Sequence, residues 1–190
     1  MIGLIFGPPG SGKGTQAARV EAEFKLSHLS TGDILRAEVA RGSEIGKEAE
    51  RIMSAGDLMP DDLIIRIVQG ILRDPDVSSE VLLDGFPRTS EQAKALDEML
   101  AQEGHKVDFV IAFNVPEDVL VERLLHRAEV EGRADDTREA ITERMHEYRA
   151  LTAAVLDHYR NSSVRVIEVD GVGEIDEVFE RIREGLQAAG

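Results

Sequence analysis

The chain has 190 residues, of which 42% are hydrophobic, and its formal net charge at pH 7 is -15. This length suits one domain with a sizeable core, and so acidic a composition argues against binding to a nucleic-acid backbone, which requires a basic face. The chain has no cysteine and no run of 18 apolar residues, which excludes disulfides and thiolate metal sites and leads us to expect a cytoplasmic protein without a membrane segment.

The first predicted strand leads into a glycine-rich loop. Residues 2–6 form a short apolar run typical of a buried parallel strand, and apolar residues at helical spacing begin after the loop. The sequence between them, Gly7-Pro8-Pro9-Gly10-Ser11-Gly12-Lys13-Gly14-Thr15, contains the pattern G-x-x-x-x-G-K. Such a loop binds phosphate through backbone N–H groups at a helix N-terminus, and its lysine reaches the β- and γ-phosphates. Gly14 stands where the general motif has Ser or Thr, and a hydroxyl follows one residue later at Thr15.

A second short strand, residues 26–29, ends at a helix-capping sequence. Ser30-Thr31-Gly32-Asp33 offers hydroxyls and a carboxylate to the N-terminus of the next helix. Thr31 therefore lies at the mouth between strand and helix, with Arg36 one turn further on. Arg36 is either a surface residue or, beside this cap, a phosphate ligand. Two helices separated near Gly42 make residues 30–59 a small lobe inserted between strands, and a third helix starts near Asp61.

A third strand, residues 81–83, ends at Asp84. An apolar strand that ends in aspartate is typical of a Walker-B carboxylate, which holds Mg²⁺ directly or through water, although Asp84 could also be a simple turn residue. Thr89 and Gln92 have the spacing of a capping box, so Gln92 could serve only as a cap partner.

The last third of the chain contributes a group of arginines. A fourth strand, residues 109–115, is followed by a helix that opens at Pro116. Near its end and on the next helix lie four arginines: Arg123, Arg127, Arg133 and Arg144. In so acidic a chain they suggest a cationic flap, whereas exposed arginines paired with acids are the alternative.

A fifth strand, residues 164–169, precedes a last helix with Ile175, Val178, Phe179, Ile182 and Leu186 on its buried face. Five strands, each followed by helix, predict an α/β fold with a doubly wound parallel sheet of the P-loop NTPase type. The site would lie at the carboxyl ends of the strands. The five histidines show no metal-ligand spacing, and we interpret them as residues of the core edge or the surface.

The chain resembles the short-lid adenylate kinases over essentially all of its length. The residues that carry the resemblance are residues 7–16, residues 29–33 with Arg36, residues 84–89 with Gln92, and residues 132–136 with Arg144. The resemblance implies one kinase domain over residues 1–190, a monophosphate-binding lobe at 30–59 and a short lid at 127–137. It also implies the reversible, Mg²⁺-dependent reaction in which ATP and AMP give two ADP.

The resemblance further assigns roles to individual residues. ATP would contact Gly10, Ser11, Gly12, Lys13, Gly14, Thr15, Arg123, Arg127 and Gly173. AMP would contact Thr31, Arg36, Asp57, Leu58, Met59, Gly85, Phe86, Pro87, Arg88, Gln92, Arg133 and Arg144. The catalytic set would be Lys13, Arg88, Arg127, Arg133 and Arg144, with Asp84 anchoring Mg²⁺ through water. Adenylate kinases of this kind tend to have a cis bond before Pro87. No structural zinc is expected, because the lid is short and lacks cysteine.

Other functions of the same fold stay open at this stage. A UMP/CMP kinase is disfavoured by the resemblance, because those relatives usually have alanine in place of Thr31 and asparagine in place of Thr89. An AMP kinase that prefers GTP is harder to exclude, because the donor base is read largely by backbone near Gly173. A P-loop nucleotide switch would normally need an N-K-x-D motif, which the sequence lacks. We expect a monomer, because no unexplained apolar stripe remains.

Overall fold

The computed structural model describes residues 1–73, 80–131 and 137–188. The strands are β1 (Ile2–Phe6), β2 (Ser27–Ser30), β3 (Val81–Asp84), β4 (Phe109–Asn114) and β5 (Arg165–Asp170). The helices are α1 (Lys13–Phe24), α2 (Thr31–Arg41), α3 (Glu44–Ala55), α4 (Asp61–Leu72), α5 (Ser90–Gln102), α6 (Glu117–Glu131), α7 (Arg138–Glu147), α8 (Ala153–Arg160) and α9 (Ile175–Gln187). A π-helical turn, Tyr148–Thr152, joins α7 to α8.

The five strands form one parallel sheet in the order β2-β3-β1-β4-β5. Strand β1 alternates between two buried layers: Leu4 and Phe6 pack in one hydrophobic cluster, and Ile5 packs in the other. The first cluster includes Leu96 of α5, and the second includes Phe179 of α9. Helices therefore cover both faces of the sheet, which confirms the predicted α/β fold and explains why β1, β3 and β4 consist largely of buried apolar residues.

The strand register determines where the functional loops meet. Asp84, the last residue of β3, is in register with Ile5 of β1 on one side and with Ser30 of β2 on the other. The glycine-rich loop follows β1, and Thr31 follows β2 directly. Asp84 consequently lies between the loop and the Thr31 mouth, at the carboxyl edge of the sheet, where open α/β sheets bind their ligands.

The caps that the sequence predicts are present. The Ser30 hydroxyl accepts a hydrogen bond from the Asp33 N–H at 3.2 Å, and the Thr89 hydroxyl accepts one from the Gln92 N–H at 3.2 Å. Gly42, with a φ of 65°, ends α2, and Ser43 caps α3 immediately afterwards. Each serine or threonine cap satisfies a backbone N–H group that the first turn of a helix leaves unpaired.

One sequence-based expectation about the core is wrong. Ile175 is 55% exposed, whereas Val178, Phe179 and Ile182 of the same helix are buried. The reason is that α9 begins at Ile175, so this residue lies at the rim of a cleft instead of on the helix face that packs on the sheet. Within the described ranges no helix is both long and apolar enough to cross a membrane.

Candidate active site

The glycine-rich loop has the geometry of a phosphate site. Gly10 and Gly12 have φ values of 82° and 86°, in the left-handed region that favours glycine. Gly12 precedes the first residue of α1, and no side chain caps this helix. The N–H groups in the first turn of α1 are therefore available to an anion, and the helix dipole adds to the attraction.

Lys13 lies in a strongly cationic environment beside this loop. Burial lowers the pKa of Lys13 to about 8, against an opposing effect of Asp84, and the charges of Arg88, Arg127 and Arg144 lower it further. Three arginines thus lie close enough to Lys13 to disfavour its charge. A polyphosphate would relieve this repulsion by placing negative charge among them.

Asp84 is paired with a histidine that the sequence did not single out. The Oδ2 atom of Asp84 lies 3.4 Å from Nε2 of His28, and Asp84 is 7% exposed. Burial alone would raise the pKa of Asp84, but His28 and Lys13 hold it below its ordinary value. Burial alone would lower the pKa of His28, but Asp84 raises it. Asp84 is therefore an ionised carboxylate. His28, which the sequence predicts at the core edge or the surface, is brought here by the pairing of β2 with β3.

Arg88 is held from two sides in the cleft. Its Nε donates to the Gly85 carbonyl at 2.8 Å, and its own carbonyl accepts from the Thr152 hydroxyl at 3.2 Å. Thr152 belongs to the π-helical turn, a feature often found at functional sites. Burial and the charges of Arg144 and Arg36 lower the pKa of Arg88, although Asp84 opposes them. The guanidinium is thus positioned before any ligand arrives.

Gln92 is 2% exposed, and both ends of its side-chain amide are hydrogen-bonded. Its Oε1 accepts from the Arg88 N–H at 2.8 Å, and its Nε2 donates to Oδ1 of Asp61 at 2.7 Å. Oδ2 of Asp61 accepts from the Thr89 hydroxyl at 3.0 Å. Gln92 is therefore both a cap partner and part of a polar network. Its partner Asp61, about 30 residues earlier, was missed by the sequence reading.

Side chains from three helices donate hydrogen bonds to backbone carbonyls in and next to the loop that follows β5. Arg123 of α6 donates to the Gly171 carbonyl at 3.1 Å, and Gln16 of α1 donates to the Ile175 carbonyl at 2.9 Å. Arg181 of α9 donates to the carbonyls of Asp170 and Val172, both at 2.7 Å. This loop, which contains Gly173, is thereby fixed next to the phosphate loop.

A single cleft of about 910 Å³ joins these parts. Its wall contains nearly all of the residues that the sequence reading proposed as ligands, namely Gly10, Ser11, Gly12, Lys13, Gly14, Thr15, Thr31, Arg36, Asp57, Leu58, Met59, Asp84, Gly85, Pro87, Arg88, Gln92, Arg123, Arg127, Arg144 and Gly173. Phe86 is instead buried in the core at 2% exposure, next to a cis peptide bond before Pro87. Arg133 lies outside the described residues, because residues 132–136 of the segment expected to be a lid are not among them.

Comparison with known proteins identifies the family. Residues 5–164 match the family model described as adenylate kinase. An adenylate kinase of Stenotrophomonas maltophilia (strain K279a) is 45% identical over 185 residues, which cover 97% of this chain and 98% of the relative. Adenylate kinases of Xanthomonas euvesicatoria pv. vesicatoria (strain 85-10) and Xylella fastidiosa (strain M12) are each 45% identical over 183 residues, covering 96% of this chain and 97% of each relative. The chain belongs to the adenylate kinase family.

Membership of the adenylate kinase family makes this protein a phosphotransferase that acts on a nucleoside monophosphate. The site is consistent with that chemistry in one further respect. Phosphoryl transfer is catalysed by positioning and charge neutralisation, and needs no side-chain nucleophile. The cleft accordingly presents backbone N–H groups, one lysine and several arginines.

Proposed function

We propose that the protein catalyses Mg²⁺-dependent, reversible phosphoryl transfer from ATP to AMP, giving two ADP, with the two nucleotides bound at opposite ends of the described cleft. The observation that carries this proposal is the presence of two cationic subsites on one cleft wall. One is the phosphate loop with Lys13, and the other contains Arg36 and Arg88 near the Thr31 mouth. Two phosphorylated substrates can therefore be brought together with their charges neutralised.

We assign the donor nucleotide to the phosphate loop. Residues 10–15 would bind its phosphates, and Arg127 on α6 would add charge from the opposite side. Gly173 would contact the donor base, supported by the three side chains that fix its loop. A preorganised loop binds with less loss of conformational entropy, which favours donor affinity.

We assign the acceptor AMP to the Thr31 side of the cleft. Arg36 pairs with Asp33 at 2.5 Å, and Arg144 donates to the Met53 carbonyl at 3.5 Å, so both guanidinium groups lie at the lobe formed by residues 30–59. Together with Arg88 they would hold the AMP phosphate, because guanidinium groups bind phosphate oxygens in a fork. We retain residues 127–137 as the lid that the resemblance implies.

The catalytic roles follow from where charge develops during transfer. The transferred group spreads negative charge over its oxygens, and fixed cations in a partly desolvated cleft stabilise that charge more strongly than water does. Lys13, Arg88, Arg127 and Arg144 are the described cations that we assign to this task. The two nucleotides must also be aligned, which the separate subsites would do.

Asp84 fits the role of a Mg²⁺ anchor. It is a nearly buried carboxylate, held ionised, whose Oδ2 lies 4.0 Å from the position that a Cβ would take at Gly14 of the phosphate loop. Mg²⁺, when bound with ATP, supplies neutralisation of phosphate charge. The residue we assign to hold it, through water, is Asp84.

Two arginine variants test the proposed division of the cleft. Arg88→Ala should raise the KM for AMP by about tenfold to a hundredfold, because a hydrogen bond to a charged group is lost, and should change the KM for ATP much less. Arg127→Ala should act mainly on ATP. Steady-state ADP formation, with each nucleotide varied in turn, measures both effects.

Arg41→Ala is the matched control, because Arg41 is 71% exposed and pairs with Glu38 of the same helix. It should leave both constants unchanged. The reverse pattern for Arg88 and Arg127 would show that the two subsites have been exchanged. Absence of ADP from the unaltered protein with ATP, AMP and Mg²⁺ would refute the proposed reaction itself.

A further inference from the structure

We propose that Asp61 is a positioning residue that fixes the orientation of the Gln92 amide and thereby selects adenine over hypoxanthine or guanine as the acceptor base. This inference rests on the proposed function and on the AMP contact that the resemblance implies for Gln92, which we assign to the base. What the inference adds is a role for the carboxylate of Asp61, which contacts Gln92 and is not among the residues assigned to either nucleotide.

The contacts of Gln92 permit only one amide orientation. Oε1 faces the Arg88 N–H at 2.8 Å, and Nε2 faces Oδ1 of Asp61 at 2.7 Å. A backbone N–H can only donate, and the carboxylate oxygen that faces Nε2 is an acceptor. Rotating the amide by 180° would place its carbonyl oxygen against the carboxylate and its NH₂ group against the N–H. Both contacts would then be repulsive.

Asp61 also orients the backbone from which Gln92 projects. Its Oδ2 accepts the Thr89 hydroxyl proton at 3.0 Å, which leaves the Thr89 oxygen to accept from the Gln92 N–H at 3.2 Å. One carboxylate thus holds the side-chain amide through one oxygen and the helix cap through the other. Gln92 itself is 2% exposed, so its side chain is held within the protein.

The remaining hydrogen-bonding capacity of the amide depends on this orientation. Each end of the amide has one hydrogen-bonding position left for a ligand: Nε2 has a second N–H, and Oε1 has a second lone pair. Adenine presents an acceptor, N1, beside a donor, its 6-amino group. Hypoxanthine and guanine present the reverse, a donor N1–H beside the acceptor O6. These purines have nearly the same shape, so a fixed amide distinguishes them by hydrogen bonding rather than by size.

A base with the reversed pattern would place its donor against the amide N–H and its acceptor against the amide oxygen. These buried polar groups would then repel each other or lack a partner. Sites built on such hydrogen bonds discriminate strongly, by roughly 10⁴-fold in favourable cases. If Asp61 is replaced by a residue that can both donate and accept, one of the two constraints on the amide disappears. Discrimination between the purines should then fall while the site remains able to bind phosphate.

The test compares Asp61→Asn with Asp62→Asn. Asp62 is the next residue in the first turn of α4, is 77% exposed and pairs with Arg66, so its substitution removes the same charge from the same helix N-terminus. For each protein, kcat/KM is measured with AMP and with IMP at fixed, saturating ATP and Mg²⁺. We expect Asp61→Asn to lower the AMP-to-IMP ratio by at least about tenfold, and Asp62→Asn to leave the ratio unchanged.

The selectivity ratio separates positioning from simple loss of stability, because fewer folded molecules would lower both rates equally. If the asparagine variant does not fold, Asp61→Ser replaces it, because the serine hydroxyl also donates or accepts. It should lower the AMP-to-IMP ratio in the same way. An unchanged ratio in either folded variant, with AMP still used by the unaltered protein, would overturn the inference alone. An unaltered protein that uses neither monophosphate would overturn the proposed function and the inference with it.

Discussion

At the residue scale, the pKa of Lys13 connects the site's electrostatics to its ligand. The folded protein lowers this pKa from an ordinary value of 10.5 to about 8, with burial as the largest cause. Between these values the unfolded chain binds more protons than the folded one, so this group makes the free energy of unfolding rise with pH in that window. Below about pH 8 the folded protein carries a charged ammonium that a phosphate would stabilise.

ATP binding at pH 8.5 should therefore be accompanied by proton uptake at Lys13, and ATP affinity should fall as the pH rises further. Titration calorimetry in two buffers of different ionisation enthalpy measures this uptake. Lys13→Met should abolish it and lower the rate of phosphoryl transfer by about 10²- to 10³-fold without unfolding the protein. Lys47→Met is the control, because Lys47 is 65% exposed and pairs with Glu44. Equal uptake in both variants would contradict the role assigned to Lys13.

Single residues were predictable from the sequence where their partners are near in the chain. Lys13 and Asp84 follow from short motifs, each with a defined strand before it. The partner of His28 is 56 residues away in β3, and the contact depends on the strand order, which hydrophobic periodicity does not encode. Asp61 was missed for the same reason, since it meets Thr89 and Gln92 only when α4 packs beside α5.

At the scale of elements, α2 and α3 pack so closely that one position between them must be glycine. A Cβ built on Gly46 would lie 2.1 Å from the Glu38 carbonyl oxygen, and this neighbour is helix backbone that cannot move alone. Gly70 of α4, by contrast, has no atom within 4 Å of the position of a Cβ. The sequence predicted both helices but not this contact, because helix periodicity says nothing about the distance between axes.

Alanine at these two glycines should have opposite effects. Gly46→Ala should lower the free energy of unfolding by roughly 1–3 kcal/mol, because the helices must separate to admit the methyl group. Gly70→Ala should raise it by about 0.5–1 kcal/mol, because glycine in a helix interior costs conformational entropy. Urea unfolding followed by circular dichroism compares the two. A stabilised Gly46→Ala variant would show that the α2–α3 packing is looser than described.

At the scale of the whole molecule, the parallel sheet explains why one cleft brings together the motifs of the described residues. The loops after β1, β2, β3 and β5 all leave from the same edge, and α6 and α7 bring arginines to it. The order of secondary structure was enough to predict the sheet and its functional edge. It was not enough to predict the π-helical turn at Tyr148–Thr152 or the exposure of Ile175, which depend on how helix ends meet the cleft.

The most direct test of the central claim is a competition among AMP, UMP and CMP as acceptors at fixed ATP and Mg²⁺, with each diphosphate product quantified. A site that hydrogen-bonds adenine through Gln92, beside the Thr31 mouth, should prefer AMP by at least roughly 100-fold in kcat/KM. Comparable rates of ADP and UDP formation from AMP and UMP would contradict the claim that this cleft is built for AMP.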